Sequence, residues 1–248
     1  MNTTRLSGTR ITRPTPHDRW LRLVEDAEKN LPVGERSEWL GRAMNVTLAG
    51  LVLIIVSPLM LVLAAAVKLT SRGPVFYAQT RVGIDRRWRR AHSPNHHRTH
   101  DLGGLPFAIY KFRTMHLDAE QHSGAVWATR GDPRVTVVGR FLRQYRLDEL
   151  PQLINVLKGD MNLVGPRPER PSIFARLRVD IPEYALRQRS KPGITGLAQI
   201  NHHYDSCVDH VRRKLQYDLA YLRRQGILED FKILLKTLPV VLFRRSGW

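Results

Sequence analysis

The sequence predicts an α/β, mostly helical protein that carries one membrane-inserted segment. Three observations predict it. Ala43 to Val67 is apolar throughout and holds no charged residue. Downstream, short strand-like runs alternate with stretches of helical periodicity. The C-terminal third repeats leucines at helical spacing with Lys and Arg between them. The chain of 248 residues is strongly basic, with 40 Lys plus Arg against 22 Asp plus Glu and a formal net charge of +18. That length buries a core as one domain with an appendage. The charge attracts phosphates, nucleic acid or anionic headgroups and does not choose among them. Cys207 is the only cysteine, which excludes an intrachain disulfide. Residues 1–35 form a polar, charge-mixed leader without the apolar centre of a signal peptide.

As a helix, the apolar stretch would reach ~37 Å, enough to cross a hydrocarbon core of ~30 Å. Ser57-Pro58 lies near its middle. Proline removes a backbone donor and crowds the preceding turn, so a kink or break is expected there. A serine bonding back to a carbonyl eases the bend. The flank from Lys68 to Arg113 is heavily basic, opposed only by Asp85 and Asp101, and should stay cytoplasmic. The other flank sets Arg36 and Arg42 against Glu35 and Glu38 and is nearly neutral. A kinked span and a re-entrant hairpin both satisfy these constraints. A buried core helix fits less well, since the stretch has no polar stripe. Gly73-Pro74 then signals a turn, and Val75 to Tyr77 a strand. Residues 86–104 read as a basic loop. Its histidines (His92, His96, His97 and His100) lack cysteine companions and zinc-type spacing, so a solvated, membrane-facing loop is the simpler reading. Trp88 among arginines suits an interfacial anchor.

The chemistry concentrates further on. In FAIYKFRTM, Lys111 and Arg113 are two apart, so on a strand they share a side and suit a diphosphate. Val135, Val137 and Val138 suggest a short strand and Gly139 a turn, before Phe141 and Leu142 begin a helical pattern. Leu150, Leu153, Ile154 and Leu157 continue at helical spacing, and Gly159 is a natural stop. Asp148 and Glu149 thus fall at or just before a helix N-terminus, with Pro151 in its first turn. Such a terminus favours a carboxylate and a phosphate alike. Adjacent carboxylates can also divide labour, one attacking phosphorus while its neighbour holds a divalent cation. An isolated Asp-Glu pair is ordinarily just a cap. Here Arg140, Arg143 and Arg146 precede it at three-residue spacing, and the stiff Pro166-Arg167-Pro168 loop follows. The segment SKPGITGLAQINHHYD reads as turn, strand and loop. Leu215, Leu219, Leu222, Phe231, Leu234, Leu235, Leu238 and Leu242 mark amphipathic helices, with Asp218 and Asp230 as acidic exceptions. Their Arg223, Arg224, Lys232, Lys236, Arg244 and Arg245 could face headgroups while the leucines dip below; core packing is the alternative.

These strings in this order (SPLMLVLAAAVKLTSRGPVFYAQTRVG, YKFRTM, GRFLRQYRLDELPQLINVLKGDMNLVGPRP, KPGITGLAQIN and KLQYDLAYL) resemble the bacterial sugar transferase family, monotopic phosphoglycosyl transferases acting on polyprenyl phosphate. The resemblance runs from about Arg36 to Phe243. It implies a re-entrant helix–break–helix over 36–70, broken at Ser57 and Pro58, with both ends cytoplasmic. It implies a compact catalytic domain over 71–248 on the cytoplasmic face of the inner membrane, with amphipathic helices in the headgroup plane. It also implies two chemical steps. Asp148 attacks the sugar-linked phosphate of a nucleoside diphosphate sugar, usually a UDP-sugar, leaving a covalent phosphosugar. Polyprenyl (undecaprenyl) phosphate then takes the phosphosugar, which initiates exopolysaccharide, O-antigen, capsule or glycoprotein glycan synthesis. Glu149 would bind Mg²⁺ and Arg143 would steady the phosphates. Pro166, Arg167 and Pro168 would hold the nucleotide side. Lys111, Arg113 and Asp218 match positions in or near the pocket. The partners implied are a UDP-sugar, polyprenyl phosphate and bacterial membrane lipids, with room for a homodimer and no nucleic acid. Two departures stand out: Asn45 occupies a position often acidic in the family, which bears on the anchoring role of Arg42, and the 86–104 loop is longer and more basic than usual. The rival reading is a catalytically inactive, membrane-anchored basic scaffold or anion binder, whose nucleic-acid affinity would collapse with salt.

Overall fold

The computed structural model describes residues 37–86, 103–117, 119, 132–201 and 208–243. The polar leader, the histidines and Trp88 of the basic loop, and Arg244 and Arg245 lie outside the described residues.

Helix α1 (Glu38–Thr70) contains the apolar stretch and extends it by several residues at each end. Ser37 caps it by accepting from the Leu40 N–H. Glu38 in the first turn and Lys68 in the last complement the helix dipole. Its 33 residues amount to about 50 Å of helix. The break expected at Ser57 and Pro58 is not seen: helix runs on through Pro58, where the Ser57 hydroxyl donates to the Ile54 carbonyl at 2.8 Å, a back-bond that accommodates the proline without ending the helix. One stripe faces the protein: Gly41, Asn45 and Ala49 near the start, Leu63 and Val67 near the end. Leu53, Val56 and Met60 are half-buried against the core, and much of the remaining apolar surface, including Ile54, Ile55, Leu61 and Val62, is exposed. The mean hydropathy of its most apolar window is 2.7.

Two small sheets follow. Strands β1 (Phe76–Val82) and β2 (Pro106–Phe112) pair antiparallel, with Tyr77 opposite Lys111 and the Phe76 and Phe112 rings stacked at 5.3 Å. Strands β3 (Asn162–Val164) and β4 (Gly193–Thr195) pair in parallel. Helices account for most of the remainder: α2 (Val137–Gln144), α3 (Gln152–Lys158), α4 (Pro171–Asp180), α5 (Leu197–Asn201), α6 (Val208–Arg224) and α7 (Ile227–Phe243).

Two sequence expectations give way. No strand spans Val135 to Val138; Val135 makes only an isolated bridge to Met115, and Val137 already opens α2. The reason is Thr136, whose hydroxyl accepts from the Gly139 N–H at 2.9 Å and caps the helix. This local bond outweighs the β preference of the two valines. The stretch after Gly196 is helix α5 rather than loop, because Ala198 and Ile200 are buried in the core. The leucine helices divide between the two readings. On α6, Leu215 and Leu222 are core residues. On α7, Ile233 is buried, while Leu228, Phe231, Leu235 and Leu238 stand exposed beside Lys232 and Lys236.

The main core joins α1 to the rest: Ala49 packs in one cluster with Ile109, Leu153, Val156, Met161, Val164, Tyr221 and Ile233. A second cluster unites Leu63 and Val67 of α1 with Phe112 and Leu142. Polar contacts reinforce the first. The fully buried Asn45 accepts from the Leu163 N–H at 2.6 Å and donates to the Gly41 carbonyl at 2.6 Å. Arg42 donates to the carbonyls of Val156 and Leu157 in the last turn of α3. The uncharged Asn45 therefore works as an acceptor for strand β3. Arg42 anchors on helix-end carbonyls, where a cation is favoured without a carboxylate partner.

Candidate active site

The segment that carries the acidic pair is a turn between two short helices. After α2 ends, Arg146 adopts a left-handed backbone (φ 53°), the only positive φ at a non-glycine residue among the described residues. That conformation costs a residue with a Cβ on the order of 1 kcal/mol or more. It reverses the chain into a single 3₁₀ turn, Leu147–Glu149, from which Pro151 leads into α3. Gly159 (φ 90°) ends α3 in the left-handed region that glycine adopts without penalty. The geometry brings Asp148 and Glu149 inward, each 8% exposed.

The two carboxylates meet opposite environments. Glu149 is clamped: Arg167 Nη2 lies 2.6 Å from Oε1, Arg167 Nη1 lies 3.3 Å from Oε2, and Lys111 Nζ lies 3.2 Å from Oε1. Burial alone would raise its pKa, but Arg167 and then Lys111 hold the carboxyl well below its ordinary value. Arg167 is in turn raised by Glu149. Asp148 has no cation within ion-pair distance among the described residues. Burial raises its pKa, against the pull of Lys111, with Glu149 adding to the rise and Arg143 opposing it. Arg143 is steered by a 2.9 Å hydrogen bond from Nε to the Thr114 hydroxyl. A carboxylate kept ionised beside one whose charge is only partly offset is the pattern of two groups with two roles.

The Pro166–Pro168 loop delivers Arg167, and its carbonyls are held in succession. Pro166 accepts from the Gly193 N–H at 3.0 Å, Arg167 from Arg187 Nη2 at 2.9 Å, and Pro168 from Arg81 Nη1 at 3.0 Å. Behind the loop, Glu169 receives Lys214 at 3.0 Å and Arg187 at 3.4 Å, while Arg187 pairs with Asp218 at 2.8 Å and with the Tyr184 hydroxyl. Against the push of burial, Lys214 and Arg187 hold Glu169 below the usual carboxylate range.

Of the residues singled out from the sequence, Lys111, Arg143, Asp148, Glu149 and the Pro166-Arg167-Pro168 loop come together. Asp218 does not join them; it lies behind the loop and reaches the site only through Arg187. Arg113 also departs. It is 5% exposed, and its Nη2 donates to the carbonyl and hydroxyl of Ser71 at 2.7 Å, closing the end of α1. The strand ends at Phe112, so the two-residue alternation that paired Arg113 with Lys111 lapses one residue too early. Arg140 is exposed on α2, and Arg146 lies beyond the helix end, so the three arginines share no common face. Sequence reasoning missed Thr114, Arg81, Gln152 and the Glu169–Arg187–Lys214 group. For Gln152 a signal existed, since it stands one helical turn after the acidic pair.

The site's chemistry fits a divalent cation such as Mg²⁺. Among the described residues no three His, Cys, Asp or Glu side chains cluster. Mg²⁺ at phosphate sites takes one or two carboxylates and completes its shell with substrate oxygens and water. Glu149 would be such a carboxylate, since its Oε2 carries only the longer Arg167 contact.

Comparison with known proteins identifies relatives along most of the chain. The family model described as bacterial sugar transferase matches residues 36–244. The UDP-glucose:undecaprenyl-phosphate glucose-1-phosphate transferase of Caulobacter vibrioides is 41% identical over 203 residues, covering 81% of this chain and 69% of that protein. The UDP-N-acetylgalactosamine-undecaprenyl-phosphate N-acetylgalactosaminephosphotransferase of Aeromonas hydrophila is 40% identical over 204 residues, 82% of this chain and 44% of that one. The exopolysaccharide production protein ExoY of Rhizobium meliloti is 33% identical over 231 residues, 88% and 90% of the two chains. The chain thus spans less than half of the Aeromonas relative and most of the other two. With its family model matched across nearly the whole length, this chain belongs to the bacterial sugar transferase family.

Proposed function

We propose that this protein transfers a sugar 1-phosphate from a UDP-sugar to undecaprenyl phosphate through a covalent intermediate on Asp148. The observation that carries the reading is the contrast between Glu149, clamped by Arg167 and Lys111, and Asp148, buried beside it without an ion pair among the described residues. In the first step an Asp148 carboxylate oxygen bonds to the sugar-linked phosphorus. The bond from that phosphorus to the bridging oxygen breaks, and the oxygen leaves with its electron pair as part of UMP. In the second step a phosphate oxygen of the lipid attacks the same phosphorus, the bond to Asp148 breaks, and the carboxylate returns. Arg143 and Lys111, flanking Asp148, offset the anionic charge that would otherwise repel the carboxylate. Mg²⁺, held by Glu149, would supply further charge neutralisation on the phosphates. The names of the relatives support UDP-glucose or UDP-N-acetylgalactosamine as donors to test first.

The membrane arrangement follows from α1, taken with its flank as an anchor over 36–70 below a catalytic domain over 71–248. Both ends of α1 pack on the same body, through Ala49 and through Leu63 and Val67, while the apolar surface around Pro58 is exposed. This supports a re-entrant anchor with both termini cytoplasmic over a straight span that would separate its ends. The exposed Phe231, Leu235 and Leu238 of α7, with Lys232 and Lys236, support an interfacial helix lying in the headgroups.

The enzymatic test is release of UMP from UDP-sugars with Mg²⁺ and undecaprenyl phosphate. Normal turnover by Asp148→Asn would remove the nucleophile. For topology, cysteines at positions 20 and 100 should label only from the cytoplasmic side. External labelling of position 20 in intact cells would establish a true span.

A further inference from the structure

One cleft beside the acidic pair is lined by Arg81, Ile109, Lys111, Gln152, Arg167 and Pro168. Two of its polar groups have no partner. The Gln152 side-chain amide nitrogen is buried and unbonded although Gln152 is only 2% exposed, and Arg81 Nε is buried and unbonded. Buried donors are almost always satisfied, and each unsatisfied one costs free energy that a ligand can recover. The cleft is also short of negative charge. Three of its lining residues, Arg81, Lys111 and Arg167, are cations and none is acidic. Burial lowers the Arg81 guanidinium to about 10, only partly countered by Glu169. An anion would remove that deficit.

The contacts relate the cleft to the acidic pair. Lys111 and Arg167 touch Glu149 and also line the cleft with Arg81 and Gln152, whereas Arg143, held by Thr114, does not line it. A diphosphate whose sugar-linked phosphate is attacked by Asp148 can therefore place its other phosphate past Lys111 and Arg167, in the cleft.

We infer that Gln152 and Arg81 bind the departing nucleotide's phosphate, the Gln152 amide N–H and Arg81 Nε donating to its oxygens. This rests on the transfer reaction proposed above. When the bond to the bridging oxygen breaks, that oxygen carries its electron pair onto the departing phosphate, which changes from a singly charged diester-like group to a monoester dianion. The site gains this charge at the Arg81 end, where donors already in place stabilise it as it develops. Arg81 also shapes the Pro166–Pro168 loop through the Pro168 carbonyl. Gln152 is therefore the cleaner probe.

The test is UMP binding to the full-length protein in detergent, by calorimetry, for wild type, Gln152→Met, Gln152→Glu and Arg143→Ala, together with thermal melts without ligand. Gln152→Met keeps the shape and removes an amide donor that bonds nothing in the free protein, so its ligand-free Tm should match or exceed that of wild type. Its UMP affinity should fall about 10-fold, the loss of one hydrogen bond to a charged group. Gln152→Glu, which turns the donor into an anion, should lose more. Arg143→Ala should leave UMP binding near wild type while weakening UDP, whose second phosphate reaches Arg143. A melt lowered in Gln152→Met with unchanged UMP affinity would make Gln152 a packing residue and overturn the inference. Failure of the wild type to bind millimolar UMP would overturn it too. If UMP binding depends on Gln152 but no donor leaves an adduct on Asp148, the transfer reading falls and the phosphate site stands. If an adduct forms while UMP binding ignores Gln152, the phosphate site falls and the transfer reading stands.

Discussion

Replacing Arg167 by alanine should strand Glu149, and the size of the effect follows from the local geometry. Breaking a buried ion pair by removing one partner costs about 3–5 kcal/mol when the remaining charge is sealed from water. Here Glu149 is 9% exposed at its side chain, but Arg167 is 35% exposed, so solvent reaches the vacated space. Lys111 also stays at 3.2 Å. Solvent screening and this second cation reduce the expected cost to about 1–2 kcal/mol. For a domain of this size that is a fall in Tm of about 2–8 °C at pH 7. The pH dependence adds a sharper signature. The folded pKa of Glu149 lies well below its ordinary value of 4.5. Its pairing therefore stabilises the protein above pH 4.5, and that stability is lost as pH falls through the folded value. The Tm gap between wild type and Arg167→Ala should be widest near neutrality and shrink toward acid. Adding Glu149→Gln to Arg167→Ala should recover stability by removing the stranded charge, and Arg167→Lys should retain part of it. Equal melting at pH 7, or a gap that widens on acidification, would refute the clamp.

Other outcomes follow from the same contacts. The pKa of Asp148 is raised above 3.8, chiefly by burial. The first half-reaction, read as UMP release, should therefore lose rate as pH falls through a value higher than an ordinary aspartate's; a rate flat down to pH 4 would contradict the assignment. Asn45→Leu leaves the Leu163 N–H buried without an acceptor and should cost about 1–3 kcal/mol in a denaturant melt, whereas a neutral result would mean that strand β3 does not depend on the anchor. A methyl group at Gly139 would sit 2.0 Å from the Thr114 carbonyl oxygen, in rigid backbone. Gly139→Ala should destabilise by about 3 kcal/mol and displace Thr114 from Arg143, so that UMP release falls along with Tm.

Some of this is legible in the residues and some is not, for physical reasons. Helix α1 is legible because its Ala43 to Val67 stretch excludes charge over a length few soluble helices need. Helix α3 is legible because its apolar spacing ends on Gly159, where only a left-handed residue fits. The acidic pair can be placed between helices, though its short 3₁₀ turn depends on the backbone of Arg146, which no periodicity announces. Strand alternation carried past Phe112 misplaces Arg113, whose guanidinium is captured by the carbonyl of Ser71. Val135 to Val138 read as strand by composition and yield to one capping hydroxyl. Asp218, Arg187 and Glu169 meet only through tertiary packing, so no local pattern joins them. Gln152 shows its significance only when its unbonded amide is seen inside the cleft.

The most direct measurement is intact and peptide mass spectrometry of the protein after brief mixing with UDP-glucose or UDP-N-acetylgalactosamine and Mg²⁺, without lipid acceptor. The added mass should equal one sugar phosphate, map to Asp148, vanish in Asp148→Asn and disappear when undecaprenyl phosphate is supplied. Product formed at a normal rate from an enzyme that never carries the adduct, and only when both substrates are present together, would contradict the covalent account.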